Sequence, residues 1–147
     1  MTRLDTTLRT IINYQLRRTT VQTMAVVNTI LAQYNLRRTT FGALSVVVDQ
    51  PAIKQGTLAD VLSIDRPNIV KIIDRLEEAD LVMRKKVESD RRIYALMPTE
   101  KGIALVDKVL VELRQLDSDI LKGLSDTEIT QFHQVLQTIE ENAKKRT

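Results

Sequence analysis

Asn68, Lys71 and Arg75, together with a knot of five cations between residues 84 and 92, are the side chains of this sequence whose types and spacing could do chemistry. The first three are spaced i, i+3 and i+7, which puts them on one face of an α-helix. A carboxamide can pair with the edge of adenine, while ammonium and guanidinium groups can contact guanine or phosphate. An ordinary solvated helix face would show the same residues, so the helix alone leaves both readings open. Arg84, Lys85, Lys86, Arg91 and Arg92 face only two acids in that stretch, Glu88 and Asp90. Like charge gathered on two opposed strands is destabilising unless an anion neutralises it, and a phosphate backbone is such an anion. A strand edge guarded by Lys and Arg against association is the plainer alternative. The order of the parts decides between them: helix, turn, helix and basic hairpin follow one another from Thr57 to Gly102, a geometry that fits duplex DNA.

The elements that must position these residues are legible from periodicity and punctuation. Residues 5–33 hold neither Gly nor Pro and repeat apolar positions at Leu8, Ile11, Ile12, Leu16, Val26, Val27, Ile30 and Leu31, predicting one long first helix. Tyr34–Asn35–Leu36 reads as a break, Thr39 or Thr40 as the cap of a second helix to about Asp49, and Pro51 as its end. Thr57 and Asp60 have capping-box spacing for a short helix to Leu62, and Ser63–Ile64 forms the turn. Asp65 is a suitable N-cap for a helix from Arg66 to about Ala79, with Pro67 tolerated in the first turn. Ile69, Ile72, Ile73 and Leu76 make a single packing stripe on it. Two strands are predicted over Leu81–Val87 and Arg92–Met97, closed by Pro98. Thr99 then caps a helix to about Leu121. Ser125 and Glu128 form a capping box, with Leu124 and Ile129 as its staple, for a last helix from Asp126 to about Ala143.

From about 57 to 105 the motifs are dense. Leu58-Ala59, Asp65-Arg66-Pro67-Asn68-Ile69-Val70, Asp74-Arg75-Leu76-Glu77, Leu81-Val82-x-Arg84, Asp90-Arg91-Arg92 and Thr99-Glu100-x-Gly102 resemble the multiple-antibiotic-resistance regulator (MarR) family. The resemblance implies a mainly α fold with a small β-hairpin wing: a winged helix-turn-helix with N- and C-terminal dimerisation helices. It implies one domain over 1–147, with the DNA-binding lobe at 37–98 and a helical dimerisation region at 1–34 and 99–147. It further implies a dimeric, sequence-specific transcriptional regulator, a repressor, that small organic ligands relieve. Carried onto this sequence, the DNA-binding residues are Arg66, Pro67, Asn68, Lys71 and Arg75 on the recognition helix and Lys85, Lys86, Asp90, Arg91 and Arg92 on the wing, Asp90 orienting Arg92. The sequence departs from the family pattern at three places. Asp80 stands where a Gly usually follows the recognition helix, so that turn must take a left-handed conformation at a non-glycine. Val87 and Ser89 occupy wing positions that usually carry charge, and Pro98 replaces a Leu.

Composition bounds the rest. Hydrophobic residues make up 43% of 147, charged residues 28%, and the formal charge is +3, which favours a nucleic-acid partner only weakly by itself. No apolar run approaches the roughly 18 residues of a membrane span and the N-terminus does not read as a signal peptide, so a cytoplasmic protein is expected. Without cysteine, and with His133 as its one histidine, the chain suits neither thiol chemistry nor a transition-metal site. No nucleophile–base pair, phosphate loop or cleft carboxylate pair points to catalysis, and Glu77–Glu78 and Glu140–Glu141 read as solvated charge. No cofactor is expected. The terminal helices carry more apolar positions than a small lobe can cover, including Leu110, Leu113, Leu116, Ile129, Phe132, Val135, Leu136 and Ile139. A homodimer would bury them and set two recognition helices about 34 Å apart on a pseudo-palindromic double-stranded operator. The expected partners are therefore that duplex, a second copy and a small organic effector, with no membrane. A winged-helix adaptor that binds protein rather than specific DNA is the alternative. The pentapeptide Leu-Arg-Arg-Thr-Thr occurs at both 16–20 and 36–40, with flanks that diverge, and two copies do not make a repeat architecture.

Overall fold

The computed structural model describes the backbone of residues 4–87 and 90–146 and the side chains of 4–86 and 94–146. Two compact units divide it, Met1–Glu112 and Leu113–Thr147. In the first, a 3-10 turn at Leu8–Thr10 precedes α1 (Ile12–Gln33), followed by α2 (Arg38–Asp49), β1 (Ile53–Lys54), α3 (Gln55–Leu62), α4 (Arg66–Glu78), β2 (Val82–Val87), β3 (Asp90–Pro98) and the start of α5 (Glu100–Ile120). The strands form one antiparallel sheet in the order β1–β3–β2. This is a winged helix: a helix-turn-helix, α3 to α4, with β2–β3 as the wing.

The first helix is shorter than its periodicity predicts. Ile11 is extended, and Asp5 competes for the segment by gathering the Arg9 Nε (3.0 Å), the Tyr14 hydroxyl (2.8 Å) and the Arg18 guanidinium (3.1 Å). Thr40 does serve the start of α2, but from inside the helix: its hydroxyl accepts the Arg37 N–H at 2.8 Å and donates to the Arg37 carbonyl. The expected Thr57–Asp60 box is not formed. Strand β1, two residues long and without visible period, pairs Ile53 with Leu96 and passes straight into α3, so Thr57 lies in the helix's first turn. Strand β3 begins at Asp90 rather than Arg92, and Pro98 is its terminal residue, opposite Val82, instead of lying beyond it.

Three helices end alike. After α1, α3 and α4, the residues Asn35, Ser63 and Asp80 take φ of 56°, 52° and 57°. The following N–H groups of Leu36, Ile64 and Leu81 reach back to the carbonyls of Leu31, Ala59 and Leu76 at 2.9–3.0 Å. These are Schellman closures, built without glycine. Asp80 thus occupies the left-handed position expected of it. Leu36, Leu76 and Leu81 are buried behind two of the closures.

The core of this unit gathers Leu31, Leu44, Val47, Leu58, Ile69, Ile73, Leu76 and Leu96, each at most 2% exposed. Burying such a side chain contributes about 1.5–3 kcal/mol, so four buried positions on α4 outweigh its polar contacts. The start of α5 is fastened to the end of α4. Thr99 accepts the Gly102 N–H (3.0 Å) and donates to the Asp80 carbonyl (2.8 Å), while Lys101 Nζ donates to the Ala79 carbonyl (2.6 Å). A Cβ at Gly102 would stand 2.2 Å from the Leu81 carbonyl oxygen, so the backbone approach there requires glycine. Further along, the Tyr34 hydroxyl donates to the Glu112 carboxylate, a bond that raises the tyrosine's pKa.

Arg84, on β2, fastens the wing to α4. Its guanidinium bridges Asp74 (2.7 Å) and Glu77, and its backbone N–H donates to Glu77 Oε1 (2.9 Å). With its side chain 19% exposed, Arg84 does not belong to the free cations of the wing, contrary to the grouping its sequence position suggests.

The second unit contains the end of α5 and α6 (Asp126–Lys144). The predicted Ser125–Glu128 capping box is present: Ser125 N–H donates to Glu128 Oε2 (2.8 Å), and the Glu128 N–H donates to Ser125 Oγ (3.3 Å). No residue of α6 is buried, and Phe132 and Val135 are 44% and 54% exposed.

Two stability measurements check this account. Gly102→Ala gains intrinsic helix propensity yet should lose about 1–3 kcal/mol in urea unfolding, because the Leu81 carbonyl must move. Arg84→Ala should lose about 1–3 kcal/mol, and Arg84→Lys should recover only part of it, since an ammonium cannot fork between Asp74 and Glu77. Full recovery by Lys would show that charge alone, without the two-carboxylate geometry, holds the wing.

Candidate nucleic-acid interface

Helix α4 divides its surface by angle. Ile69, Ile72, Ile73 and Leu76 turn into the core, and Asp74 and Glu77 turn toward Arg84. The remaining arc carries Arg66, Pro67, Asn68, Lys71 and Arg75, all exposed. The helix starts where the sequence predicts, because Asp65 caps it by accepting the Asn68 N–H at 3.0 Å. That hydrogen bond and the one from the Asn68 side chain hold the Asp65 carboxyl below the usual carboxylate range. Asn68 Nδ2 donates to Asp65 Oδ2 at 2.6 Å, so bidentate contact of the Asn68 amide with a base requires that bond to open.

On the wing, Lys85 and Lys86 are exposed. Register shifts between Lys86 and Val87: Lys86 pairs with Tyr94 and Val87 with Asp90. Asp90, Arg91 and Arg92 belong to β3 by backbone, but their side chains lie outside the described residues, as do Ser89 and the side chain of Val87. Among the described residues, Arg66, Lys71, Arg75, Lys85 and Lys86 make no ion pair, whereas Arg84 makes two.

Sequence reasoning missed Arg37. It lies in one copy of the repeated pentapeptide, at the start of α2, and the fold brings it beside Lys71 and Arg75 around a cleft of about 520 Å3 that Thr39, Ser63, Ile64, Asp65, Asn68 and Ile72 also line. The only local signal for it was a pair of arginines directly before a helix. Behind α4, a second cavity of about 550 Å3 is lined by Tyr34, Leu36, Leu76, Leu81 and Leu105 together with Arg37, Arg75 and Lys101. Among the described residues no cluster of His, Asp or Glu could hold a metal ion, and no helix is long and apolar enough to cross a membrane.

Residues 36–94, from the closure of α1 through the wing, match the model of the MarR family. A Thauera aromatica protein named for transcriptional regulation of the hcr operon is 34% identical over 88 residues, covering 60% of this chain. The match spans about half of that relative, 53% of its length. The crystal structure of a MarR-family transcriptional regulator from Rhodococcus sp. RHA1 superposes with a TM-score of 0.78 at 28% identity, covering 87% of this chain and 91% of that one. CouR from Rhodococcus jostii RHA1, solved with p-coumaroyl-CoA bound, superposes at 0.76 with 29% identity over 87% of this chain and 90% of that one. With the winged-helix architecture, residues 36–94 belong to the MarR family of transcriptional regulators, and the chain is similar to MarR-family structures over 87% of its length.

Proposed function

We propose that this regulator acts in the cytoplasm as a homodimer that binds a pseudo-palindromic duplex operator and represses transcription from it. The observation that carries this reading is the exposed arc of α4, whose cations Arg66, Lys71 and Arg75 make no ion pair among the described residues while the opposite arc is locked into the core. Lys71 and Arg75 read base edges in the major groove, with Asn68 joining them once its amide leaves Asp65. Arg66 and Pro67, at the helix start, face the backbone. The wing, through Lys85, Lys86, Arg91 and Arg92 with Asp90 as orienting partner, adds phosphate contacts. The chain binds and does not catalyse.

Dimerisation rests on apolar residues left outside. Leu8 and Ile12 near the start of the chain, Val111 in α5 and Phe132 and Val135 in α6 are 44–65% exposed. A second copy is the partner the proposal assigns to the exposed face of α6. A small organic ligand relieves repression in this reading. CouR supports it by holding p-coumaroyl-CoA on a related fold, and the leucine-lined cavity with Arg37, Arg75 and Lys101 at its border suits an organic acid.

Selection of bound sequences from a random duplex pool should return inverted half-sites about one helical turn apart. On the selected operator, Lys71→Ala or Arg75→Ala should cost about 1–3 kcal/mol while affecting random duplex less. Equal losses on both would assign the residue to phosphate. Phe132→Glu should convert a sedimenting dimer to monomer and weaken operator binding by roughly a hundredfold. A monomeric wild type, or a dimeric variant, would overturn the α6 interface.

A further inference from the structure

The cleft between the start of α2 and the exposed arc of α4 extends beyond the helix-turn-helix and the wing, to Arg37 and Thr39. Three cations converge on it, Arg37, Lys71 and Arg75, against one carboxylate, and that carboxylate, Asp65, already accepts two hydrogen bonds from Asn68. None of the three cations forms an ion pair among the described residues, and the Thr39 hydroxyl beside them is exposed. Among the described residues the Arg37 side chain forms no ion pair that would give it a structural task. The cap of α2 uses the backbone N–H and carbonyl of Arg37 with the Thr40 hydroxyl, and Arg37 is exposed.

We infer that this cleft takes a phosphodiester of the bound duplex, with Arg37 as a phosphate-contacting residue. The inference rests on the proposed reading of α4, because Lys71 and Arg75 form both the far wall of the cleft and the reading arc. A duplex seated on that arc has its sugar–phosphate rim beside the base edges being read, so the cations next to the arc meet phosphate. The lining favours phosphate over an aromatic effector. Ile64 and Ile72 are its only large apolar residues, whereas the cavity behind α4 presents Leu36, Leu76, Leu81 and Leu105. Arg37 therefore extends the DNA contact to α2 and adds affinity without sequence preference.

The test compares full-length wild type, Arg37→Ala, Arg37→Lys and Arg38→Ala on the selected operator and on random duplex, by fluorescence anisotropy at several salt concentrations. Each phosphate contact contributes about 0.9 to the slope of log affinity against log salt. Arg37→Ala should flatten that slope by about one per protomer and weaken both duplexes by the same factor. Arg37→Lys should keep the slope, since it keeps the charge. Arg38→Ala should change neither, because Arg38 lies outside this cleft. Thermal melting of each variant confirms that the fold is retained. An unchanged slope in Arg37→Ala overturns the assignment, as does a loss confined to the operator, which would make Arg37 a base reader. An equal effect from Arg38→Ala overturns it too, by showing a diffuse field. Stabilisation by inorganic phosphate alone that depends on Arg37, with an unchanged DNA slope, would reassign the cleft to a small anion. Failure of wild type to bind any duplex sinks the underlying reading instead, and is told apart because every variant then matches it.

Discussion

The burial of Ile69, Ile72, Ile73 and Leu76 fixes the rotation of α4, and the rest of the lobe follows from it. A helix has one angular degree of freedom about its axis, so a fixed apolar arc assigns a direction to every other side chain. With that arc inward, Asp74 and Glu77 face β2 and Lys71 and Arg75 face out. Rotating the helix by one residue would turn charge into a core that includes Leu44, Leu58 and Leu96. The penalty for an unpaired buried charge is several kcal/mol, more than any exposed contact of these residues returns. The exposed arc of Lys71 and Arg75 is therefore presented by packing rather than by its own interactions, and Arg84 then fixes where the wing stands relative to it.

Chain reversal in this lobe is managed by polar residues followed by apolar ones. Asn35–Leu36, Ser63–Ile64 and Asp80–Leu81 each place a left-handed residue ahead of an apolar one that turns back over the helix end. A left-handed non-glycine is strained by roughly 1–2 kcal/mol, less for Asn and Asp, whose short polar side chains tolerate it. Two recovered carbonyls offset that cost at each closure, joined by a buried leucine at Leu36 and Leu81. At Gly102 the requirement for glycine is space beside the Leu81 carbonyl and not φ.

This explains which parts were legible from sequence. Asp65, Thr99 and Ser125 were readable as caps because their partners lie three residues on, within a window that periodicity also marks. The stripe of α4 was readable for the same reason. What escaped depends on partners distant in the chain or on competition between neighbours. Arg84 looked like a wing cation, since nothing local shows that Asp74 and Glu77, ten and seven residues earlier, would claim it. The two residues of β1 exist only because β3 offers them an edge. Asp5 shortened the first helix by side-chain bonds that no propensity records.

The modest net charge of +3 conceals a segregation that the fold creates. Asp74 and Glu77 are taken up by Arg84, and Asp65 by Asn68, so these three carboxylates beside the exposed arc are already engaged. Lys71, Arg75 and Arg37 are left to repel one another across a concave surface, where field lines focus and an anion gains most. Two of these three cations, Arg37 and Arg75, also border the leucine-lined cavity behind α4. A carboxylate in that cavity and a phosphate in the cleft would draw on the same two guanidinia, so their occupancies cannot be independent. Whatever free energy one anion withdraws from the other is returned in kind, because coupling between two sites on one protein is reciprocal.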